Sequence, residues 1–260
     1  GGPSPYSCAV TGGPVNLPSA PRRGARQLIF VTTPLIALVS CLALFGLIVM
    51  KDGFGGWGAR NLAVLIEGST HRALVVQEQI SRTGVLLDDS LSLPRDYLLI
   101  PLELFKHGYR SERNNYEAVG NEFTDGWVGN RARQAQLAFG VVPTRARLTY
   151  DANAKTVLSS IETELKTLFL KDERGTWWKA SKVLPGRPSA LTRSSAVEYL
   201  TWSQGTIERS VSPSISKPLA VLQESPSAFF AEAASDGGFT IPVLDQFSWE
   251  QGVTIFYGPL

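Results

Sequence analysis

Cysteine, histidine and methionine are scarce in this 260-residue chain, which has two, two and one of them respectively. Both cysteines, Cys8 and Cys41, precede residue 51. The long remainder therefore cannot be stapled by disulfides and must be held by its core. Cys8 follows GGPSPYS rather than an apolar run, which argues against a lipobox. His71 and His107 have no HExxH, CxxC or His-x-His context, so no metal centre is implied and each reads as a loop residue. The single methionine is Met50, so Gly1 is not expected to be the translation start. No Asn-x-Ser/Thr sequon occurs, which fits an exported bacterial domain better than a eukaryotic ectodomain.

Motifs of the common chemistries are absent as well. There is no G-x-S-x-G elbow, P-loop or dinucleotide-binding glycine pattern, which removes the usual hydrolase and nucleotide readings. Asp151, Asn153 and Glu162 fall at calcium-loop spacing, but Lys155 occupies a ligand position and Thr156 replaces the required glycine. Asp88 and Asp89 are adjacent, and adjacent strand residues point to opposite faces, so they read as a solvated loop rather than a carboxylate pair. No cofactor and no catalytic residue is expected. Charge of one sign is missing from one region only. Residues 1–27 hold three of the 25 basic residues and none of the 23 acidic ones, leaving 22 against 23 elsewhere. A near-neutral remainder excludes nucleic acid as a partner by bulk electrostatics.

Long apolar runs are also lacking, with one exception. Residues 28–50, LIFVTTPLIALVSCLALFGLIVM, contain no charged side chain. At about 1.5 Å per helical residue they reach roughly 35 Å, enough to cross a bilayer core. A cleaved signal would be shorter and would end at a small-residue site; this run is longer, lies behind a tail and is followed by Lys51 and Asp52. It reads as a retained signal-anchor. Pro34 falls in its first third, where a missing donor costs least. Thr32, Thr33 and Ser40 can return their hydroxyls to the helix backbone or bond a neighbouring helix. Arg22, Arg23 and Arg26 precede the span, against Lys51 and Arg60 behind it, which predicts a cytoplasmic N-terminus and an exported C-terminal part.

This divides the chain into a Gly/Pro-rich cytoplasmic arm (1–27), a transmembrane helix (28–50), a Gly-rich linker (51–60) and a β-rich exported domain (61–260). The arm cannot bury enough apolar surface to fold alone. In the linker, KDGFGGWGAR, the glycines let the domain turn away from the helix and Trp57 is placed to rest at headgroup level.

The exported part is patterned as strands at 61–66, 73–80, 97–104, 136–142, 146–150, 166–171 and 176–180, with a last strand in VTIFYGPL. In LKDERGTWW a charged loop ending in Gly175 joins two of them as a hairpin. Helices are expected at 194–204 and after Ser225-Pro226, in SAFFAEAASDGG. The fold class is mainly β, an antiparallel β-sandwich-like domain with one or two short helices behind a single transmembrane helix.

Arg145 to Leu148, the aliphatic strand Leu165 to Leu170, and Asp172 with Gly175 and Trp178, together with the DGFGG exit, make up a recurring pattern. It resembles that of uncharacterised bacterial single-pass membrane proteins whose exported β-domain follows a membrane helix. That resemblance implies a fold and a place, and no activity.

One polar stretch stands out for binding. Between residues 109 and 133 it carries Tyr109, Arg110, Arg113, Tyr116, Trp127, Arg131 and Arg133, residue types enriched at binding hot spots. With Arg22, Arg23, Arg26 and Trp57, all of these except Arg133 form the candidate partner-binding set. The expected role is a non-enzymatic accessory subunit of a large membrane complex, photosynthetic or respiratory for instance, in a bacterial inner or photosynthetic membrane. Its partners would be other membrane subunits, met through the helix and the arm, and lipids. The alternative is an anchored binding module acting outside a fixed complex.

Overall fold

The computed structural model describes residues 23–53, 55–84, 91–93, 96–102, 117–119, 122–124, 132–208, 215–216, 224–244 and 246–260. The chain divides into two compact units, Gly1–Met50 and Lys51–Leu260.

The first helix, α1, spans Arg23–Asp52 and includes Pro34. It is longer than the apolar run at both ends, so residues 23–27, expected in the arm, are helical. Ala25, Arg26 and Gln27 are good helix formers, which lets the helix extend backwards from the apolar run, and Gly24 falls in its first turn, where a poor helix former costs least.

The second unit is mainly β. In chain order its strands are β1 (Gly56–Glu67), β2 (Arg72–Thr83), β3 (Leu91–Ser92), β4 (Tyr97–Leu102), β5 (Glu117–Val119), β6 (Glu122–Thr124), β7 (Arg133–Pro143), β8 (Leu148–Asp151), β9 (Thr156–Ser159), β10 (Leu165–Lys171), β11 (Trp177–Val183), β12 (Ser189–Ala190) and β13 (Thr192–Arg193). The helix α2 (Ala196–Ser203) follows, extended by a wide turn over Gln204–Glu208, and then β14 (Ala228–Ala233) and β15 (Phe247–Pro259). Nine strands form one sheet in the order β13-β11-β10-β14-β15-β1-β2-β7-β4, beside three-stranded sheets β12-β9-β8 and β3-β6-β5. The main sheet is mixed. Its first and last long strands, β1 and β15, pair in parallel at the centre, while every other pairing within it is antiparallel.

Alternation decides which side chain goes to which face, and here both faces are covered. Leu62, Val64, Ile66, Leu168, Leu170, Phe229 and Phe256 join one buried cluster with Leu148 and Val157 of the small sheet, which gives the sandwich-like layer. Their neighbours Ala63, Phe169, Phe230 and Ile255 join a second cluster with Tyr199 of α2 and Ile215. Strands buried on two faces read as continuous apolar runs rather than alternating ones.

That double burial overturns one expectation from the sequence. SAFFAEAASDGG contains strand β14, not a helix, held between β10 and β15. Ala228, Phe229, Phe230 and Ala231 are all buried. A helix would leave one flank of this segment to solvent, whereas a central strand sends Phe229 and Phe230 into opposite cores; tertiary pairing outweighs the alanines' helix propensity. The glycines after it, Gly237 (φ 60°) and Gly238 (φ 82°), take left-handed turn conformations.

The linker reading is corrected too, since only a few residues separate α1 from β1 and residues 56–60 are strand. Gly56 and Gly58 are there for close approach. A Cβ on Gly58 would stand 2.2 Å from the Ile80 carbonyl oxygen, and one on Gly56 would strike the Phe247 ring at 2.4 Å. Phe247 and Trp249 stack at 5.7 Å over these two glycines.

Several local expectations agree with the structure. The β10–β11 hairpin turns at Gly175 (φ 75°). Ser195 caps α2, its side chain accepting the Glu198 N–H. His71 is an exposed turn residue with φ 56°, its Nδ1 3.0 Å from the Gly68 carbonyl oxygen. Asp151 accepts the backbone N–H groups of Asn153 and Ala154 at 2.8 and 3.0 Å, so the calcium-like spacing is a tight turn between β8 and β9.

Candidate functional site

Within α1, residues Ile29–Leu47 form a window of mean hydropathy 2.2 in which no residue is buried. This is one helix long and apolar enough to cross a membrane. Every large apolar side chain described in the window, from Ile29 and Phe30 to Phe45 and Leu47, is exposed. Its backbone donors and acceptors are satisfied within the helix, the condition for crossing hydrocarbon. Cys41 is an exposed free thiol on this helix.

At the start of the β unit, cross-strand register builds a row that the linear sequence does not display. Trp57 of β1 stands opposite Arg82 of β2, and Arg82 stands opposite Arg133 of β7. All three are exposed and, by strand alternation, share the face that carries α2 farther along the sheet. The Arg82 guanidinium lies 5.6 Å from the Trp57 ring centroid. Among the described residues neither arginine makes an ion pair. The next row on the same face is Ala59, Ile80 and Ala135, of which Ile80 is exposed, and β15 adds Glu250 opposite Ala59.

On the opposite face Arg60 donates to the Val243 carbonyl and stacks 4.2 Å from the Trp249 centroid, while the Trp249 N–H donates to the Leu244 carbonyl at 3.1 Å. Beside them Gln77 exchanges two hydrogen bonds with the backbone of Ile241, at 2.9 and 3.0 Å, and Gln79 donates to Gln136 at 2.6 Å. These buried amides tie the 239–244 segment to β2 and are satisfied structurally.

Around α2, Tyr199 stacks on Trp177 at 4.5 Å and packs on Phe169, Phe230 and Trp202. An open cleft of about 480 Å³ lies nearby, lined by Lys179, Ser181, Thr192, Arg193 and Glu198 among others. Two of its charges meet: Lys179 Nζ lies 2.6 Å from Glu198 Oε1, and the Ser194 hydroxyl donates to Glu198 Oε2 at 2.7 Å, while Arg193 is exposed. The hydrogen bond from Lys179 holds the Glu198 carboxyl below its ordinary range.

Other shifted groups also move away from neutrality. Burial pushes the Tyr199 phenol far up and that of Tyr257 up to about 12. Burial also pushes the Asp172 carboxyl up, but hydrogen bonds from the Trp178 indole and the Thr176 and Arg174 amides outweigh it and hold the group below its ordinary range. A general acid or base works best with a pKa near the operating pH, and none of these groups meets that condition. Among the described residues no group of three or more His, Cys, Asp or Glu is placed to hold a metal ion.

Of the candidate partner-binding residues, Trp57 has a described side chain, and Arg23 and Arg26 lie in the first turn of α1. Arg22, Tyr109, Arg110, Arg113, Tyr116, Trp127 and Arg131 lie outside the described residues, as do Phe54, Asp88, Asp89, His107, the rest of the arm and residues 103–104 of an expected strand. The structure brings Trp57 together with Arg82, which sequence reading did not single out, and with Arg133. No local signal marks that association, because it depends on which residues face one another across two strand pairs.

No protein-family model and no curated protein sequence matches the chain. Among solved structures, the yeast delta-COP-I mu-homology domain complexed with a Dsl1 WxWxV peptide superimposes with a TM-score of 0.31 at 9% identity, covering 78% of this chain and 96% of that one. A superposition that loose carries no argument about this chain.

Proposed function

We propose that the chain is a non-catalytic accessory subunit of a larger membrane complex, photosynthetic or respiratory for instance, in a bacterial inner or photosynthetic membrane. It is anchored once by α1, with its N-terminus cytoplasmic and its β unit on the exported face. The observation that carries this reading is the unburied apolar window Ile29–Leu47. Eleven large apolar side chains in the window are exposed, and their transfer from water is worth on the order of 20 kcal/mol, a driving force that lipid or neighbouring helices can satisfy. The orientation rests on Arg22, Arg23 and Arg26 ahead of the span. The accessory role is supported by the pairing of Lys179 with Glu198 in the α2 cleft and by titratable groups shifted away from neutrality.

Purification from gently solubilised native membranes tests it. Co-migration with several membrane proteins is the expected result. A monodisperse single chain would sink the subunit reading in favour of an anchored binding module. Extraction of the chain by alkaline carbonate would remove the anchor itself.

A further inference from the structure

The side chains of the row Trp57–Arg82–Arg133 are exposed, and apart from the contact of Arg82 with the Trp57 ring its two cations are without ion pairs among the described residues. We infer that this row is a docking edge for the headgroup layer of an anionic phospholipid bilayer, which it grips through an indole and two guanidinium groups. The inference rests on α1 crossing the membrane and names the lipid chemistry that the β unit meets.

Three observations carry it. The first is chain length: four residues stand between Asp52, the last of α1, and Trp57, and the five chain steps this makes extend no more than about 18 Å. Trp57 is therefore confined near the height at which the helix leaves the bilayer, and the antiparallel β1–β2 and β2–β7 ladders hold Arg82 and Arg133 beside it. The second is side-chain chemistry. An indole half exposed at 45% is amphipathic and suits the headgroup zone, and a guanidinium can form two parallel hydrogen bonds to a phosphate. The third is charge. Lys51 and Asp52, which precede the row in sequence, cancel, so Arg82 and Arg133 set its charge, and the acidic side chain on the adjoining row is Glu250, two strands away from Arg82 on β15. On the adjoining row of the same face Ile80, exposed at 44%, adds an apolar side chain beside the arginines.

The test uses the full chain in nanodiscs of phosphatidylcholine alone or mixed with phosphatidylglycerol, with a nitroxide quencher on the choline headgroup. The quenching lost on Trp57→Phe isolates the Trp57 signal from the other tryptophans. That signal should be strongly quenched in the anionic discs and less so in the neutral ones. A basic side chain near an anionic surface contributes about fivefold to partitioning, so Arg82→Gln with Arg133→Gln should weaken the docked population by about 30-fold. Arg82→Lys with Arg133→Lys should keep most of it. Trp57 quenching that ignores both lipid charge and the double glutamine variant overturns the inference while leaving the anchor standing. Carbonate extraction of the unmodified chain would instead overturn the anchor, and the docking edge with it.

Discussion

Leu35, Leu38 and Leu42 in α1 are chemically the same as Leu165, Leu168 and Leu170 in β10, yet the first three are exposed at 57–61% and the other three at 0%. The strand side chains are enclosed because a nine-stranded sheet is covered on both faces, by the β8–β9–β12 sheet and by α2. No described residue of Gly1–Met50 encloses the Ile29–Leu47 window, and its hydrogen bonds close on themselves without neighbours. On the proposed anchor reading, the contrast is between two ways of removing apolar surface from water: packing protein on protein, or entering a medium that is itself apolar. Only the first depends on the shape of the partner surface.

Perturbations should separate the two regions cleanly. The largest effect is expected from Leu38→Arg with Leu42→Arg in α1, which should cost about 6 kcal/mol or more of membrane insertion. It would be read as loss of carbonate-resistant membrane retention, with the urea unfolding of the β unit unchanged. Phe230→Ala should do the reverse, lowering β-unit stability by about 3–5 kcal/mol in urea unfolding while the chain stays membrane-bound, because Phe230 is fully buried against Trp177 and Tyr199. Gly58→Ala should destabilise by about 1–3 kcal/mol, since its new methyl meets the backbone oxygen of Ile80 and forces β1 from β2. The same change at Gly46 of α1, where a Cβ meets nothing within 4 Å, should be silent by either measure.

A smaller effect is pH-dependent. Asp172 accepts the Trp178 indole N–H at 2.9 Å and two turn amides, and its carboxyl is held below the ordinary range. A lowered folded pKa means that the aspartate's contribution is fully present above the unfolded value of about 4 and is lost as pH falls through the folded one. Asp172→Ala should therefore cost about 1–2 kcal/mol near neutral pH and progressively less in acid. Urea midpoints of both proteins at about pH 6 and about pH 3 would check this, and an equal difference at the two pH values would count against it.

Much of the architecture was legible from local chemistry. The runs at 61–66, 73–80, 136–142 and 166–171 lie inside β1, β2, β7 and β10, because strand periodicity and turn residues act within a few positions. The hairpin turning at Gly175 and the Ser195 cap were readable for the same reason. Strand β14 was not, since AFFAEAA suits a helix in isolation and becomes a strand only between β10 and β15. Gly56 and Gly58 looked like linker flexibility because the Phe247 and Trp249 rings that need the space lie about 190 residues away in sequence. Of the candidate site, Trp57 was recognisable from its place after the apolar run, whereas its neighbour Arg82 was not.

The sequence by itself determined the apolar span, its approximate limits and the β character of the chain beyond residue 60. Hydropathy and strand periodicity are carried by adjacent residues and need no partner to be read. The tertiary structure alone decided that β1 and β15 pair in parallel, that the main sheet is buried on both faces, and that Trp57, Arg82 and Arg133 stand in one row. Each of these depends on the register between distant strands, and a slip of one residue would send every such side chain to the opposite face.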